Sequence, residues 1–215
     1  MITVQFFTFS PLSENTYLLY NDAGHAIIID PGCYFKEEKE KLQNYIVTKQ
    51  LQVIQLINTH CHLDHVFGNK WVCENYGLEL FLHPNEERVL SFAPESGRMW
   101  GIPFENYDGK LHFLQEHDVV TLGEDELKVL LAPGHSPGSI CFYCEKQKFV
   151  IGGDVLFKES IGRTDLPGGK HETLLESIRE QLFILPDDVT VYPGHGLPTT
   201  IGHEKKYNPF LNMFA

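Results

Sequence analysis

The most constraining feature of this sequence is the segment 59–65, which follows an apolar run at residues 53–57. Four side chains able to bind a metal fall within six consecutive positions of this segment: His60, His62, Asp64 and His65. Without a cation, crowded neutral imidazoles would leave buried nitrogen atoms unpaired, and crowded carboxylates would repel one another. The segment therefore predicts a metal site.

Side chains alternate between the two sides of an extended segment. This pattern places His60, His62 and Asp64 on one side and Cys61 on the other. We expect a turn at Asp64 to bring His65 to the side of the other ligands. Cys61 is therefore expected to lie between two ligands without being one.

Three more candidate ligands lie downstream, each after an apolar run and a glycine: His135, Asp154 and His195. Any one of them alone is explained more simply as a hydrogen-bonded turn residue at the end of a strand. Together with the four residues upstream, they favour a metal site. His83 also ends a predicted strand, where a turn role is favoured over a role in the site.

The composition bounds the class of protein. The chain has 215 residues, of which 42% are apolar and 21% charged, as is typical of soluble globular proteins. No apolar stretch approaches the roughly 20 residues of a membrane span, and residues 1–7 lack the features of an export signal. The net charge of −12 excludes nucleic acid as a partner. We expect a cytoplasmic enzyme acting on a small molecule, without membrane attachment.

The five cysteines are odd in number and scattered, which indicates a reducing compartment. Cys141 and Cys144 have the CxxC spacing of redox and zinc sites. The surrounding sequence predicts a strand, however, in which residues three apart face opposite sides. We therefore expect neither a redox nor a zinc site at these two cysteines.

Hydrophobic patterns predict strands and helices along the whole chain. Strands are predicted at residues 2–9, 16–20, 26–29, 53–57, 78–82, 111–113, 119–121, 127–131, 140–143, 149–151 and 189–192. Helices are predicted at residues 36–50, 66–76 and 173–183. Residues 91–108 lack a clear period and are predicted to form a long loop. The pattern suggests an α+β fold of two packed mixed sheets with helices on the outer faces, in a single domain over residues 1–215.

Five ordered motifs resemble those of the metallo-beta-lactamase superfamily of metallohydrolases. They are Asp30-Pro31-Gly32, the cluster from His60 to His65, Gly134-His135-Ser136, Gly152-Gly153-Asp154 and Gly194-His195-Gly196. The resemblance spans nearly the whole chain and implies an αβ/βα sandwich with a dinuclear metal site at its edge. By this resemblance the first metal would be held by His60, His62 and His135, the second by Asp64, His65 and His195, with Asp154 bridging them. Asp30 would support the ligands without being one.

Within the superfamily, the chain looks most like the short glyoxalase II-type thioester hydrolases, at residues 161–169, 193–200 and 208–210. Only 20 residues follow His195 (215 minus 195), so we expect the helical carboxy-terminal domain of full-length glyoxalase II to be absent. Arg163 falls where that pattern places a basic residue for the substrate carboxylate. Because Asp165 is nearby, an ion pair between Arg163 and Asp165 is an equal alternative.

The implied ligands suit two divalent ions, with zinc expected first and iron or manganese as alternatives. Bound metal lowers the pKa of water to about 7, which would provide a metal-bridging hydroxide as nucleophile. Asp64 could also take the water proton, which makes it the candidate catalytic residue. The sequence offers no evident general acid, so a thiolate, with a pKa near 8.5, is the favoured leaving group. A hydrolase of hydroxyacylglutathione-type thioesters is predicted.

Two alternatives stay open. The persulfide dioxygenases also resemble this chain, including at residues 162–165, and they use one iron held by two histidines and a carboxylate. Here those ligands would be His60, His135 and Asp154. A lactonase or beta-lactamase is the other alternative, weakened by the joint presence of Asp64 and His65.

Overall fold

In the computed structural model, which describes residues 1–211, the chain forms two six-stranded sheets, a two-stranded hairpin and six α-helices. Two compact units are present: residues 1–114 with 121–125, and residues 115–120 with the chain from Glu126 onward. The single domain over residues 1–215 stays a prediction, and its last four residues lie outside the described range. Among residues 1–211, no helix combines the length and apolar character of a membrane span.

The strands of the first sheet fall close to their predicted ranges. They are β1 (Ile2–Phe9), β2 (Glu14–Asn21), β3 (His25–Ile29), β4 (Gln52–Ile57), β5 (Leu80–Leu82) and β6 (Leu111–Phe113). They lie in sequence order, antiparallel from β1 to β3 and parallel from β3 to β6. β3 is buried along nearly its whole length, as its continuous apolar run predicts for a central strand.

The helices of the first unit follow these strands. They are α1 (Lys36–Thr48), α2 (Leu63–Val66), α3 (Asn69–Tyr76) and α4 (Glu87–Met99), with a 3-10 turn at Pro84–Glu86. The predicted helix 66–76 is broken at Gly68, which separates α2 from α3. Gly68 donates its N–H to the Pro31 carbonyl at 2.7 Å, and a Cβ there would stand 2.5 Å from Cys33 Sγ. This close approach requires glycine and explains the break.

The predicted loop at residues 91–108 is wrong in its first half, which α4 occupies. The helix buries Leu90 and Ala93, but the interior Pro94 hides the helical period in the sequence. Proline cannot donate a hydrogen bond to the carbonyl four residues earlier. The side-chain amide of Asn106 donates to that carbonyl, of Leu90, at 2.7 Å. A helix can therefore run through the proline because a later residue replaces the missing donor.

The second sheet is also mixed. Its strands are β7 (Val119–Leu122), β8 (Asp125–Leu131), β9 (Ile140–Cys144), β10 (Phe149–Gly153), β13 (Thr190–Pro193) and β14 (Thr199–Thr200), in the order β14-β13-β10-β9-β8-β7. β10 pairs in parallel with β13 and antiparallel with β9. The hairpin of β11 (Leu156–Phe157) and β12 (Ser160–Ile161) lies between β10 and the next helix in sequence.

Two helices belong to the second unit. α5 (His171–Ser177) continues into a π-helical turn at Ile178–Leu182, so the predicted helix 173–183 consists of two kinds of turn. α6 (Ile201–Tyr207) is not predicted from the sequence. The Thr200 side chain caps it by accepting the His203 N–H at 3.2 Å.

Candidate metal centre

Three neighbouring parallel strands of the first sheet bring the first set of candidate ligands together. β3, β4 and β5 are parallel neighbours, so their carboxyl ends lie at one edge of the sheet. Asp30 follows β3 and donates its backbone N–H to the Ile57 carbonyl at 3.0 Å. The segment 59–65 follows β4, where the Asn58 N–H bonds to the Phe81 carbonyl of β5 at 2.9 Å. Strand pairing therefore places Asp30 beside the histidine segment.

The histidine segment is extended only as far as His62. The rings of His60 and His62 lie 4.8 Å apart, as alternation predicts. α2 begins at the next residue with His62 as its N-cap, and the His65 N–H bonds to the His62 carbonyl at 3.0 Å. Asp64 and His65 thus lie in a helical turn, and the turn expected at Asp64 begins one residue earlier, at Leu63.

Hydrogen bonds to Asp30 assign the tautomers of two histidines. Asp30 Oδ2 accepts from Nδ1 of His65 at 3.0 Å and from Oγ1 of Thr59 at 2.5 Å. An ionised carboxylate only accepts, so Nδ1 of His65 carries the proton and Nε2 the lone pair. Because the Thr59 hydroxyl donates to Asp30, it accepts from Nδ1 of His60 at 3.1 Å. Both imidazoles therefore present Nε2 as a ligand atom, with Asp30 in the supporting position.

The ligand atoms of the first unit converge. The ring centroids of His60 and His65 lie 4.0 Å apart. Nε2 of His65 is 3.9 Å from Oδ2 of Asp64. A lone-pair nitrogen facing a carboxylate oxygen is an unfavourable contact unless a cation lies between them, and ligands of one such ion stand about 3 to 4 Å apart. The donor set of the first unit therefore fits a divalent cation.

Cys61 packs in the apolar core of the first unit. Burial raises the pKa of its thiol, and the charges of Glu86 and Asp30 raise it further. The neutral thiol is therefore favoured, and it is a poor metal ligand. The Cys61 N–H donates to Oε2 of Glu86 at 2.8 Å.

Glu86 is a buried residue that the sequence pattern does not single out. Its only signal is Pro84, which begins a helical turn with an acidic residue two positions later. Placing Glu86 beside the histidine segment requires knowing that β4 and β5 are neighbours. Periodicity alone does not give that neighbour relation.

In the second unit, two candidate ligands also follow neighbouring parallel strands. Asp154 follows β10, and His195 follows β13 after Gly194. The Gly194 N–H bonds to the Gly153 carbonyl at 2.8 Å, which aligns the two strand ends. As a result, Oδ2 of Asp154 lies 3.5 Å from Nε2 of His195.

His135 reaches the same carboxylate from a different segment, after β8. Its Nδ1 bonds to the Arg163 backbone carbonyl at 2.7 Å. A carbonyl only accepts, so Nδ1 carries the proton and Nε2 the lone pair. That nitrogen lies 3.5 Å from Oδ2 of Asp154. The second unit thus repeats the contact between a lone-pair nitrogen and a carboxylate oxygen, and it also fits a divalent cation.

Glycines allow the chain to pass close to these ligands. A Cβ at Gly162 would overlap the Asp154 carbonyl oxygen and stand 3.1 Å from Nδ1 of His135. Gly134, just before His135, has φ +126°, and a Cβ there would overlap the Leu174 backbone. The glycines of these two motifs are therefore required by close packing and by conformation.

Arg163 forms a bidentate ion pair with Asp165. Nε donates to Oδ1 and Nη2 to Oδ2, each at 2.7 Å. The hydrogen bond from Arg163 lowers the pKa of Asp165 to about 2. Both side chains are more than half exposed. The pairing alternative is thus what the structure shows, and the guanidinium keeps further N–H groups beyond the two that Asp165 binds.

His83 has the favoured turn role. Its Nδ1 accepts the Asn85 N–H at 3.2 Å, which caps the 3-10 turn after β5. Burial lowers the pKa of His83, so the neutral ring is favoured.

The structure thus brings together four predicted ligands in the first unit and three in the second.

Known proteins resemble this chain along nearly its whole length. Residues 10–195 match the family model of the metallo-beta-lactamase superfamily. Hydroxyacylglutathione hydrolase GloC of Haemophilus influenzae is 38% identical, over 98% of this chain and 99% of its own length. The crystal structure of BLEG-1 B3 metallo-beta-lactamase has a TM-score of 0.89 and 37% identity, covering 97% of this chain and 99% of that one. The crystal structure of TTHA1623 in a di-iron-bound form has a TM-score of 0.88 and 37% identity, covering 96% and 100%.

These matches confirm the predicted fold class, the metallo-beta-lactamase fold. They support the general prediction of a metal-dependent hydrolase, in accord with the His and Asp clusters of the structure. Because the family model matches residues 10–195 of this chain, the chain belongs to the metallo-beta-lactamase superfamily.

Proposed function

We propose that this protein is a dinuclear metal-dependent hydrolase of thioesters, with hydroxyacylglutathione-type molecules as its substrates. The proposed ligands are His60, His62 and His135 for one ion, Asp64, His65 and His195 for the other, and Asp154 for both. Zinc is the proposed metal. Iron and manganese are the alternatives, because a mixed nitrogen and oxygen set accepts each of them.

One observation carries the proposal: in both units a carboxylate oxygen faces imidazole nitrogens. In the first unit Asp64 faces His65 at 3.9 Å, and in the second Asp154 faces His135 and His195 at 3.5 Å each. Hydrogen bonds at Nδ1 of His65 and His135 place the lone pair on the nitrogen that faces the carboxylate. A shared cation makes each of these contacts favourable.

The charge of the proposed ligand set suits hydrolysis. Five neutral imidazoles and two carboxylates leave two divalent ions with a net charge of +2 (four minus two). When bound, such ions polarise a carbonyl group and lower the pKa of water to about 7. Asp64 has two carboxylate oxygens, so one can hold a metal while the other accepts the proton of the attacking water.

The proposed substrate class follows from the leaving group. Asp64 begins the reaction unprotonated, as the acceptor of the water proton, and the other six proposed ligands hold metal, so no proposed ligand begins the reaction as a general acid. A thiolate, with a pKa of about 8.5, leaves without protonation, whereas an amine or alkoxide does not. Arg163 is the proposed contact for the substrate carboxylate, through the N–H groups that Asp165 does not bind. The 38% identity to hydroxyacylglutathione hydrolase GloC supports this choice.

A second candidate is beta-lactam hydrolysis, which the 37% identity to the BLEG-1 metallo-beta-lactamase favours. The two candidates share the metal site and differ in the leaving group. A beta-lactam releases an amine and needs a proton donor, whereas a thioester does not.

The test combines metal content with three substrates. Metal per chain is measured by elemental analysis, and the protein is assayed with lactoylglutathione, with a beta-lactam, and with glutathione persulfide under oxygen monitoring. About two metals per chain and thioester turnover without oxygen uptake are the expected result. One iron with oxygen uptake would replace the proposal by the persulfide dioxygenase alternative, and turnover of the beta-lactam alone would replace it by the second candidate.

A comparison of a thioester with its oxygen ester tests the leaving-group argument separately. We expect the thioester to be cleaved faster. Equal rates would remove the chemical reason for preferring thioesters, while leaving the metal site unaffected.

A further inference from the structure

Glu86 is fully buried at the junction between the 3-10 turn Pro84–Glu86 and α4. β5 ends at Leu82, and the turn that follows is closed by a hydrogen bond from the Glu86 N–H to the His83 carbonyl at 2.9 Å. Because β5 runs parallel to β4 as its neighbour, the residues after β5 and the residues after β4 begin at the same sheet edge. This arrangement brings the Glu86 carboxylate to the histidine segment 25 residues earlier.

The Glu86 carboxylate binds the main chain between two proposed metal ligands. Its Oε2 accepts the Cys61 N–H at 2.8 Å, and Cys61 lies between His60 and His62. Cys61 belongs to neither β4 nor α2, so no strand or helix ladder supplies an acceptor for this N–H. A buried backbone N–H needs an acceptor, and Glu86 provides it.

Asp30 makes the matching contact at Thr59, earlier in the same segment. Its Oδ1 accepts the Thr59 N–H at 2.7 Å. Asp30 follows β3 and Glu86 follows β5, so the segment after β4 is held by carboxylates from the strands on both of its sides. Burying two carboxylates is costly unless each is well hydrogen-bonded. Apolar packing alone does not explain a carboxylate at position 86.

We propose that Glu86 is a positioning residue for metal binding: by accepting the Cys61 N–H, it fixes the extended backbone that sends the imidazoles of His60 and His62 to the same side. This inference rests on the proposed metal site. In this role Glu86 acts through the main chain and touches neither metal nor substrate. The conformation that it fixes is the alternation on which the two ligands depend.

The test is zinc affinity, measured by competition with a chromophoric chelator on full-length, metal-stripped protein. Glu86→Ala is expected to weaken zinc binding about 10- to 100-fold, the usual effect of losing an outer-shell partner. Glu86→Gln keeps an oxygen that accepts the same N–H and is expected to stay within about 3-fold of the wild type. Cobalt substitution gives a second readout, because the visible absorption of bound cobalt reports ligand geometry.

Leu90→Ala is the matched control for loss of stability. Leu90 is buried in α4, and its replacement lowers the melting temperature without removing the carboxylate at position 86. Zinc affinity within about 3-fold of the wild type is expected for this control. Equal losses of affinity in Leu90→Ala and Glu86→Ala would overturn the proposal, since metal binding would then follow stability alone.

Two other results would also overturn it. One is unchanged zinc affinity in Glu86→Ala. The other is a Glu86→Gln protein that folds but binds zinc at least about 10-fold more weakly than the wild type. This second result is decisive even if Glu86→Ala does not fold. A wild-type protein that binds no metal at all would instead contradict the proposed function, so the two failures are distinguishable.

Discussion

The two units supply their candidate ligands in different ways. In the first unit, four ligands lie in one short segment, and buried side chains such as Asp30, Thr59 and Glu86 hold that segment. In the second unit, three ligands come from three separate segments. There, main-chain groups position the ligands: the Arg163 carbonyl accepts from Nδ1 of His135, and the Gly153 carbonyl accepts the N–H of Gly194, the residue before His195.

This difference teaches how each kind of ligand set must be supported. A segment that leaves its sheet loses the strand pairing that gave its backbone N–H and C=O groups hydrogen-bond partners. Side chains that follow neighbouring strands must then supply those partners. Ligands placed directly after paired strands keep these backbone hydrogen bonds. They need only glycines that let neighbouring segments pass close to them. Exposure does not follow this division, because within the second unit the His135 side chain is 3% exposed and that of His195 is 28% exposed.

The largest effect is expected from removing a ligand of the first unit. His60→Ala should abolish metal binding and activity together, with a loss of more than about 100-fold, because even outer-shell changes cost about 10- to 100-fold. Elemental analysis and thioester turnover measure the two losses. Cys61→Ala is the control on the next residue and should retain both. Loss of metal in Cys61→Ala alone would show that the alternation argument is wrong.

The second unit should be most sensitive to added volume. Gly162→Ala puts a Cβ against the Asp154 carbonyl and close to Nδ1 of His135. We expect metal affinity to fall by roughly 100-fold and the free energy of unfolding by about 1 to 3 kcal/mol. Chelator competition and urea unfolding provide the two measurements.

Gly152→Ala is the matched control for Gly162→Ala. A Cβ at Gly152 would meet its nearest neighbour, in Val191, at 3.4 Å, which is an ordinary contact. Metal affinity should therefore stay near the wild-type value. Equal losses in the two variants would show that the second unit does not depend on close approach at Gly162.

Asp30→Asn tests the side-chain support of the first unit. An amide keeps one acceptor oxygen but replaces the charge that orients His65 and Thr59. We expect metal affinity to fall roughly 10-fold, at the low end for outer-shell changes. Isothermal titration of the metal-stripped protein with zinc measures this loss. An unchanged affinity would remove the contrast drawn between the two units.

The smallest effect is expected from Arg163→Ala. His135 is bound by the backbone carbonyl of Arg163, so metal affinity should not change. The side chain is exposed, and the free energy of unfolding should change by less than about 0.5 kcal/mol. If Arg163 contacts the substrate carboxylate, KM for lactoylglutathione rises about 10-fold while kcat is preserved. An unchanged KM would leave Arg163 only its ion pair with Asp165.

The pH dependence of this effect follows from the pKa of Asp165. That pKa is lowered to about 2, so the ion pair is present above the ordinary value of 3.8 and is lost as the pH falls through about 2. Across about pH 6 to about 9, both partners keep their charges. The change in KM should therefore be constant over that range, which steady-state kinetics can check.

The regions of the molecule that could be predicted from the sequence are those whose signal is local. The run of isoleucines in β3 and the spacing of His60, His62 and His65 need no knowledge of distant residues. α4 could not be predicted, because Pro94 normally ends a helix and its rescue by Asn106 is a contact in space. Glu86 was hidden for the same reason, since its partner Cys61 is identified only by the pairing of β4 with β5.

The hydrogen bond from Asn106 also makes α4 conditional on a segment that folds back over it. The Ile102 N–H bonds to the Gly97 carbonyl at 2.8 Å, so residues 101–106 are joined to the helix at two points, one on each side of Pro94. In native-state hydrogen exchange, the amides of the helix after Pro94 and those of residues 101–106 should open together as one cooperative unit.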